Sequence, residues 1–243
     1  PDLGVYVGVY LLALRHPVPV ARQISTLCEM APGRLTLGVG VGGEDRHEME
    51  VCEVDPRTRG RRTNECLEIV RALLEGQVLD FEGEFFSLEQ VQVSPSPDPA
   101  VPIIIGGRSR AALVRTARHG DGWIAVWSTV ERFKEGINTI DQCAAELGRP
   151  RPFHHGLQVW CGVGDSPSSA RPWVQGRMER MYRLPFERFE RYTPYGEPEA
   201  IADALRPFVE AGCQTLNLAI CGEGFEAAIE AAGEIKRLLG AAS

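Results

Sequence analysis

Long hydrophobic runs are missing from this chain. The longest uninterrupted apolar stretch is Val9 to Leu14, far short of the roughly 20 residues that a membrane-crossing helix needs. The expectation is therefore no membrane partner. Positive charge is also short. Lys and Arg number 26 against 33 Asp and Glu, a net charge of −7 among 243 residues, which gives no electrostatic footprint for nucleic acid. Paired cysteines are absent too. The seven (28, 52, 66, 143, 161, 213 and 221) are scattered without a Cys-x-x-Cys pair, and the count is odd. That argues against a disulfide framework and for the reduced thiols of a cytoplasmic protein. No Ser-His-Asp layout, reactive-cysteine motif, short repeat or low-complexity tract is present.

What is present is an alternation. Pro102-Ile-Ile-Ile-Gly-Gly-Arg-Ser-Arg-Ala-Ala112 is an apolar run that stops at two glycines and passes at once into a helix pattern, and Gly120-Asp-Gly-Trp-Ile124 begins the next strand. The free N–H groups of a helix start and its dipole suit such a corner to an anion. The same layout recurs. Residues 3–10, 34–41, 102–106, 122–127, 156–163 and 215–220 read as strands, and helices are expected at 16–30, 58–75, 108–119, 130–147, 197–211 and 224–239. Continuous apolar strands, each followed by a helix, indicate a parallel sheet of an α/β protein. Two excursions interrupt it. Residues 77–101 read as a short hairpin around Phe81 to Leu88 followed by a proline-rich connector, and residues 164–196 read as irregular. The count is six βα units in one domain, with 44% hydrophobic residues to fill its core. Glycine-rich corners at Gly40 to Gly43, Gly106-Gly107 and Gly162 to Gly164 follow strands. A (β/α)8 TIM barrel and a doubly wound sheet both bind ligands at that edge, and pattern alone leaves the two open.

Arg15-His-Pro17, Ala31 to Gly43, Arg57 to Glu68, Phe81-Glu-Gly-Glu-Phe-Phe86 and Pro102 to Trp123 together resemble the bacterial luciferase-like monooxygenase family, in order and over nearly the whole chain. The resemblance implies a (β/α)8 barrel, usually dimeric, that holds FMN or the deazaflavin coenzyme F420 at the C-terminal ends of its strands. It implies a flavin-dependent oxidoreductase or monooxygenase acting on a small organic molecule, with a flavin or deazaflavin reductase as a partner. Members start with two further βα units, so the chain is expected to be N-terminally incomplete. The rival reading is a non-catalytic flavin-binding protein or inactive subunit.

By resemblance, Gly8, Val9 and Tyr10 lie beneath the cofactor ring, Gly42, Gly43 and Glu44 near its reactive edge, and Gly106, Gly107, Arg108 and Ser109 at its phosphate. Trp127, Ser128 and Thr129 suit ring and phosphate, or else a core tryptophan and a helix cap. Glu44 and His47 are the candidate acid/base residues, imidazole titrating in the useful range, although a solvated loop is the plainer place for His47. His119 reads as a structural cation at a helix C-terminus. His154-His155 has no third ligand in view, and no metal is expected. The aromatic and arginine-rich stretch 164–196 is expected either as a mobile lid or as a helix packed on the outside, with Met178, Met181 and Tyr182 as core contacts.

Overall fold

A computed structural model describes residues 3–42 and 45–240. Among them are the six expected βα units, and the chain clusters into two compact units. One comprises Pro1–Ile124 with Thr139–Phe153, the other Ala125–Asn138 with His154–Ser243.

In the first unit, β1 (Val5–Leu11), β2 (Leu35–Gly40), β5 (Ile103–Gly106) and the first three residues of β6 (Gly122–Val126) follow one another in a parallel sheet. Leu37 and Val39 on β2 pair with Ile103 and Ile105 on β5. All four are buried in one cluster with Val20 and Ile24 of α1 (Pro17–Met30) and Leu67, Val70 and Leu73 of α3 (Arg59–Leu74). Side chains alternate along a strand, so the opposite face carries Gly38, Gly40, Ile104 and Gly106. Helices thus cover one face of this sheet, and glycines dominate the other.

The hairpin of 77–101 forms as β3 (Leu79–Glu82) and β4 (Ser87–Val91). The Glu65 carboxylate on α3 accepts hydrogen bonds from the Glu84 and Phe85 amides at 2.8 and 3.0 Å. A Cβ at Gly83 would stand 2.5 Å from a Glu65 oxygen. The Phe-Glu-Gly-Glu-Phe-Phe string is thereby explained as a clamp of hairpin on helix.

His119-Gly-Asp121 joins α4 (Arg110–His119) to β6. The Asp121 carboxylate accepts from the Ile103 amide at 2.8 Å and from Arg71 at 2.9 Å. Asp121→Ala strands the Ile103 amide and removes the counter-charge of Arg71, which keeps only the His119 carbonyl at 2.8 Å, and a loss of roughly 2 kcal/mol is expected. Urea unfolding measures it, and an unchanged midpoint contradicts this role. His119 is not a cation. Burial, with Arg118, Arg149, Arg115 and Arg71 nearby, lowers its pKa to about 4. The expected favourable charge at the helix end therefore does not form near neutrality.

In the second unit, β7 (Gly156–Val163) pairs in parallel with β9 (Thr215–Cys221) along its length and with the two-residue β8 (Tyr195–Gly196) at its end. Leu157 and Val159 face Leu205 and Phe208 of α7 (Pro198–Glu210), and Val163 faces α8 (Phe225–Gly240). The reading of 164–196 as irregular is corrected here. Residues Pro167–Tyr182 form α6, opened by a Ser166 capping box and Pro167 in its first turn. The helix packs against β7 and β8. Gly162 and Gly164 form the contact surface for α6. A Cβ on Gly162 would sit 2.7 Å from the Ala170 carbonyl oxygen and 2.9 Å from Val174 Cγ1. Met178 is buried and Tyr182 half-buried in this packing, whereas Met181 is 62% exposed. Gly162→Ala is expected to cost about 1–3 kcal/mol by overpacking. Thermal unfolding of the variant tests this, and an unaltered Tm contradicts the close approach.

Candidate functional site

The helix-free face of the first unit's sheet carries Gly8, Val9 and Gly106 of the expected residues. On β1, Val7 pairs with Leu37 and Tyr10 with Val39, so three steps on β1 answer two on β2. The extra residue is a bulge at Gly8-Val9, whose peptide bond is cis. The bulge turns Val9 onto the glycines of the neighbouring strands. A Cβ would lie 2.5 Å from Val9 Cγ2 if placed on Gly40, and 3.1 and 3.3 Å from Val9 Cγ1 if placed on Gly106 and Gly38. At Gly38 it would also collide with the Val7 carbonyl oxygen. Three residues without side chains are thus what lets Val9 lie flat. Gly8 is exposed and Val9 is 38% exposed, so the bulge presents an apolar ledge. Tyr10, half-buried beside it, carries the Arg15 guanidinium 4.8 Å from its ring centroid.

The corner after β5 stands next to this ledge. Gly107 has φ +125°, a region glycine adopts readily. Its carbonyl accepts a 2.6 Å hydrogen bond from the Trp123 indole. The Ser109 hydroxyl accepts from the Ala112 amide at 3.2 Å and caps α4, which begins at Arg110, two residues later than expected. Arg108 is exposed at the turn. Glycines and a helix start thus meet at one corner, with a cation beside them.

After β2, Gly42 has φ +67°, and a Cβ there would stand 3.2 Å from Met49 Cε and 3.3 Å from Leu11 Cδ1. Gly43 and Glu44 lie outside the described residues. His47 is not in a loop. It sits on α2 (Arg46–Val51), capped by Asp45, whose carboxylate accepts from the His47 amide at 2.9 Å. His47 itself is exposed and Met49 buries the helix. Met49 and the Asp45 cap were the sequence signals for this helix, hidden behind the glycine corner.

Trp127, Ser128 and Thr129 belong to the second unit. Trp127, at φ +47°, packs against Tyr182 and Phe189 at ring-centroid distances of 5.1 and 5.0 Å. Tyr182 in turn accepts a 3.0 Å hydrogen bond from the Trp160 indole. The Thr129 hydroxyl accepts from the Arg132 amide at 3.4 Å, the geometry of a cap on α5 (Val130–Glu146). All three also line a cavity of about 360 Å³ with residues 190–194 and α7. The helix cap is formed by Thr129, and Trp127 is part of an aromatic cluster. The Trp160–Tyr182 link was not foreseen. Cys66 is buried, its thiol pushed up to about 12, and burial likewise raises Cys161, so neither is a nucleophile near neutral pH.

The sequence profile of luciferase-like monooxygenases matches residues 1–215. The chain belongs to that family. An uncharacterised protein of Mycobacterium tuberculosis is 34% identical over 145 residues, 60% of this chain and 50% of that protein. The chain thus spans about half the length of that relative. An F420-dependent glucose-6-phosphate dehydrogenase of Beutenbergia cavernae is 33% identical over 201 residues, covering 78% of this chain and 57% of the enzyme. Among solved structures, an F420-dependent secondary alcohol dehydrogenase in complex with an F420-acetone adduct superposes with a TM-score of 0.86 at 20% identity, over 98% of this chain and 80% of that one. The FMN complex of the oxygenating constituent of 3,6-diketocamphane monooxygenase from Pseudomonas putida gives 0.72 at 16%, over 98% and 78%. At these identities the likeness establishes the fold, that of the luciferase-like TIM barrels. No described helix is long and apolar enough to cross a membrane.

Proposed function

We propose that this family member is an oxidoreductase that binds the deazaflavin coenzyme F420 on the Gly8-Val9 ledge and passes a hydride to or from a small organic substrate. The observation that carries the reading is the glycine floor. Gly38, Gly40 and Gly106 let Val9 lie flat beside the Gly107 corner, which gives an apolar support for a planar ring system next to a phosphate-sized turn. The residues present fit the coenzyme on that ground. F420-dependent glucose-6-phosphate and hydroxymycolic acid dehydrogenases among the relatives support it. FMN is the second reading, supported by the FMN-bound neighbour.

In this reading Gly8 and Val9 support one face of the ring and keep water from it. The amides of Gly107 to Ser109 and the first turn of α4 hold the phosphate, with Arg108 adding charge. Glu44 and His47, which follow Gly42 in the sequence, handle the proton that accompanies the transferred hydride. The deazaflavin, when bound, supplies the hydride-carrying carbon, and FMN in its place supplies oxygen activation. Titration of the purified protein with each cofactor, followed by fluorescence or absorbance, tests the proposal. Saturable binding of F420 at least tenfold tighter than FMN is the expected result. The reverse order overturns the deazaflavin reading, and binding of neither overturns the site.

A further inference from the structure

On the helix side of the first unit's sheet, away from the glycine floor, a cleft of about 370 Å³ runs between α3 and α4. It is lined by Asn64, Arg110, Arg115, Arg118 and His119, with Ala111 and Val114 between them. Positions 110, 114 and 118 repeat every four residues, and 111 and 115 run beside them, so one face of α4 supplies the whole basic wall.

Arg115 is the unusual member. It is buried, with 7% relative exposure. Its Nε donates to the Asn64 side-chain oxygen at 2.6 Å and its Nη2 to the Gly60 carbonyl at 3.1 Å. Both acceptors are neutral. Among the described residues no ion pair includes Arg115. A buried charge without a counter-charge is costly. A second, independent feature lies in the same cleft. The Nε2 atom of His119 is buried and has no hydrogen-bond partner, an uncommon state for a buried polar atom. Arg110 and Arg118 at the exposed edge leave the cleft without a carboxylate on its walls.

We infer that the α3–α4 cleft is a binding site for a phosphate-class oxyanion, separate from the cofactor corner, in which Arg115 is the buried anchor and Arg110 and Arg118 close over the ligand. The anion supplies the counter-charge that Arg115 lacks. A guanidinium held by neutral acceptors keeps its charge available for a tetrahedral oxyanion, for which arginine is well suited. The source is a free phosphate or the phosphoryl group of a metabolite.

The test is ³¹P line broadening of inorganic phosphate on the full chain, with the histidine resonances followed in parallel. Saturable binding that moves the His119 signal, that survives Gly107→Val, and that weakens at least tenfold in the exposed-edge variant Arg110→Gln/Arg118→Gln is the expected result. A phosphorylated sugar binding more tightly than phosphate points to a metabolite, and equal affinity to the free ion. Arg115→Gln is a secondary variant because it can loosen the fold; Arg110→Gln/Arg118→Gln keeps the proposal testable. Phosphate binding abolished by Gly107→Val and untouched by the edge variant overturns the inference, as does no binding at millimolar phosphate. Failure of the cofactor titrations leaves this experiment unaffected.

Discussion

Gly107→Val should weaken cofactor binding by more than tenfold, about 1.4 kcal/mol. At φ +125° Gly107 holds a conformation that L side chains rarely adopt, and a Cβ there would already stand 3.0 Å from Ala112 Cβ. Valine must therefore rotate the peptide, shift the start of α4, or both. Either change redirects the amides of 107–109 that the proposal assigns to the phosphate. The strain itself is expected to lower stability by about 1–3 kcal/mol, so affinity is to be read well below the unfolding temperature. The measurement is a fluorescence titration with F420 on wild type and variant, with circular dichroism confirming the fold. Equal dissociation constants in two folded proteins remove the corner from the cofactor site.

Acid should destabilise the protein through His119 well before its carboxylates protonate. In the unfolded chain this imidazole titrates near 6.5, and in the fold only near 4. The unfolded state therefore binds the proton first as pH falls. The contribution is complete above pH 6.5, declines between 6.5 and 4, and is gone below 4, with a ceiling of about 3 kcal/mol. Urea unfolding at pH 7.5 and 5 in phosphate-free buffer, on wild type and His119→Gln, isolates it. Wild type is expected to lose stability across this interval and the variant to lose markedly less. Parallel losses in the two proteins show that His119 is protonated as readily in the fold as outside it.

The βα alternation was legible because its strands are nearly pure apolar runs. Ile103 to Ile105, and Trp123 to Ala125, are buried on both sides of the chain, which leaves no polar phase to confuse with a helix. The helix α6 was legible only as one of two alternatives, for the opposite reason. Its buried side is only Ala170, Val174 and Met178, while Trp173 and Met181 are exposed, so apolar residues point both ways and the period is lost. Pro172 and Gly176 inside it read as breakers. At the site, the glycines were visible as corners, but their purpose was not. Gly38 and Gly40 belong to β2 and Gly106 to β5, and only the register brings them under Val9. The sequence does not show the neutral state of His119, because its burial follows only from the fold, and the arginines that add to the effect come from three segments, around 71, 115–118 and 149.

The dependence of Val9 on three distant glycines has an evolutionary corollary. Positions 9, 40 and 106 form an epistatic set. A methyl group gained at 40 is harmful while valine occupies 9, and tolerable once 9 has lost its branches. Val9→Gly should thus act as an intragenic suppressor of Gly40→Ala in folding, even though it removes the apolar ledge. Drift at these sites is coupled, and a lineage that abandons the ledge is released from the glycines at 40 and 106, while Gly38 stays fixed by the Val7 carbonyl oxygen.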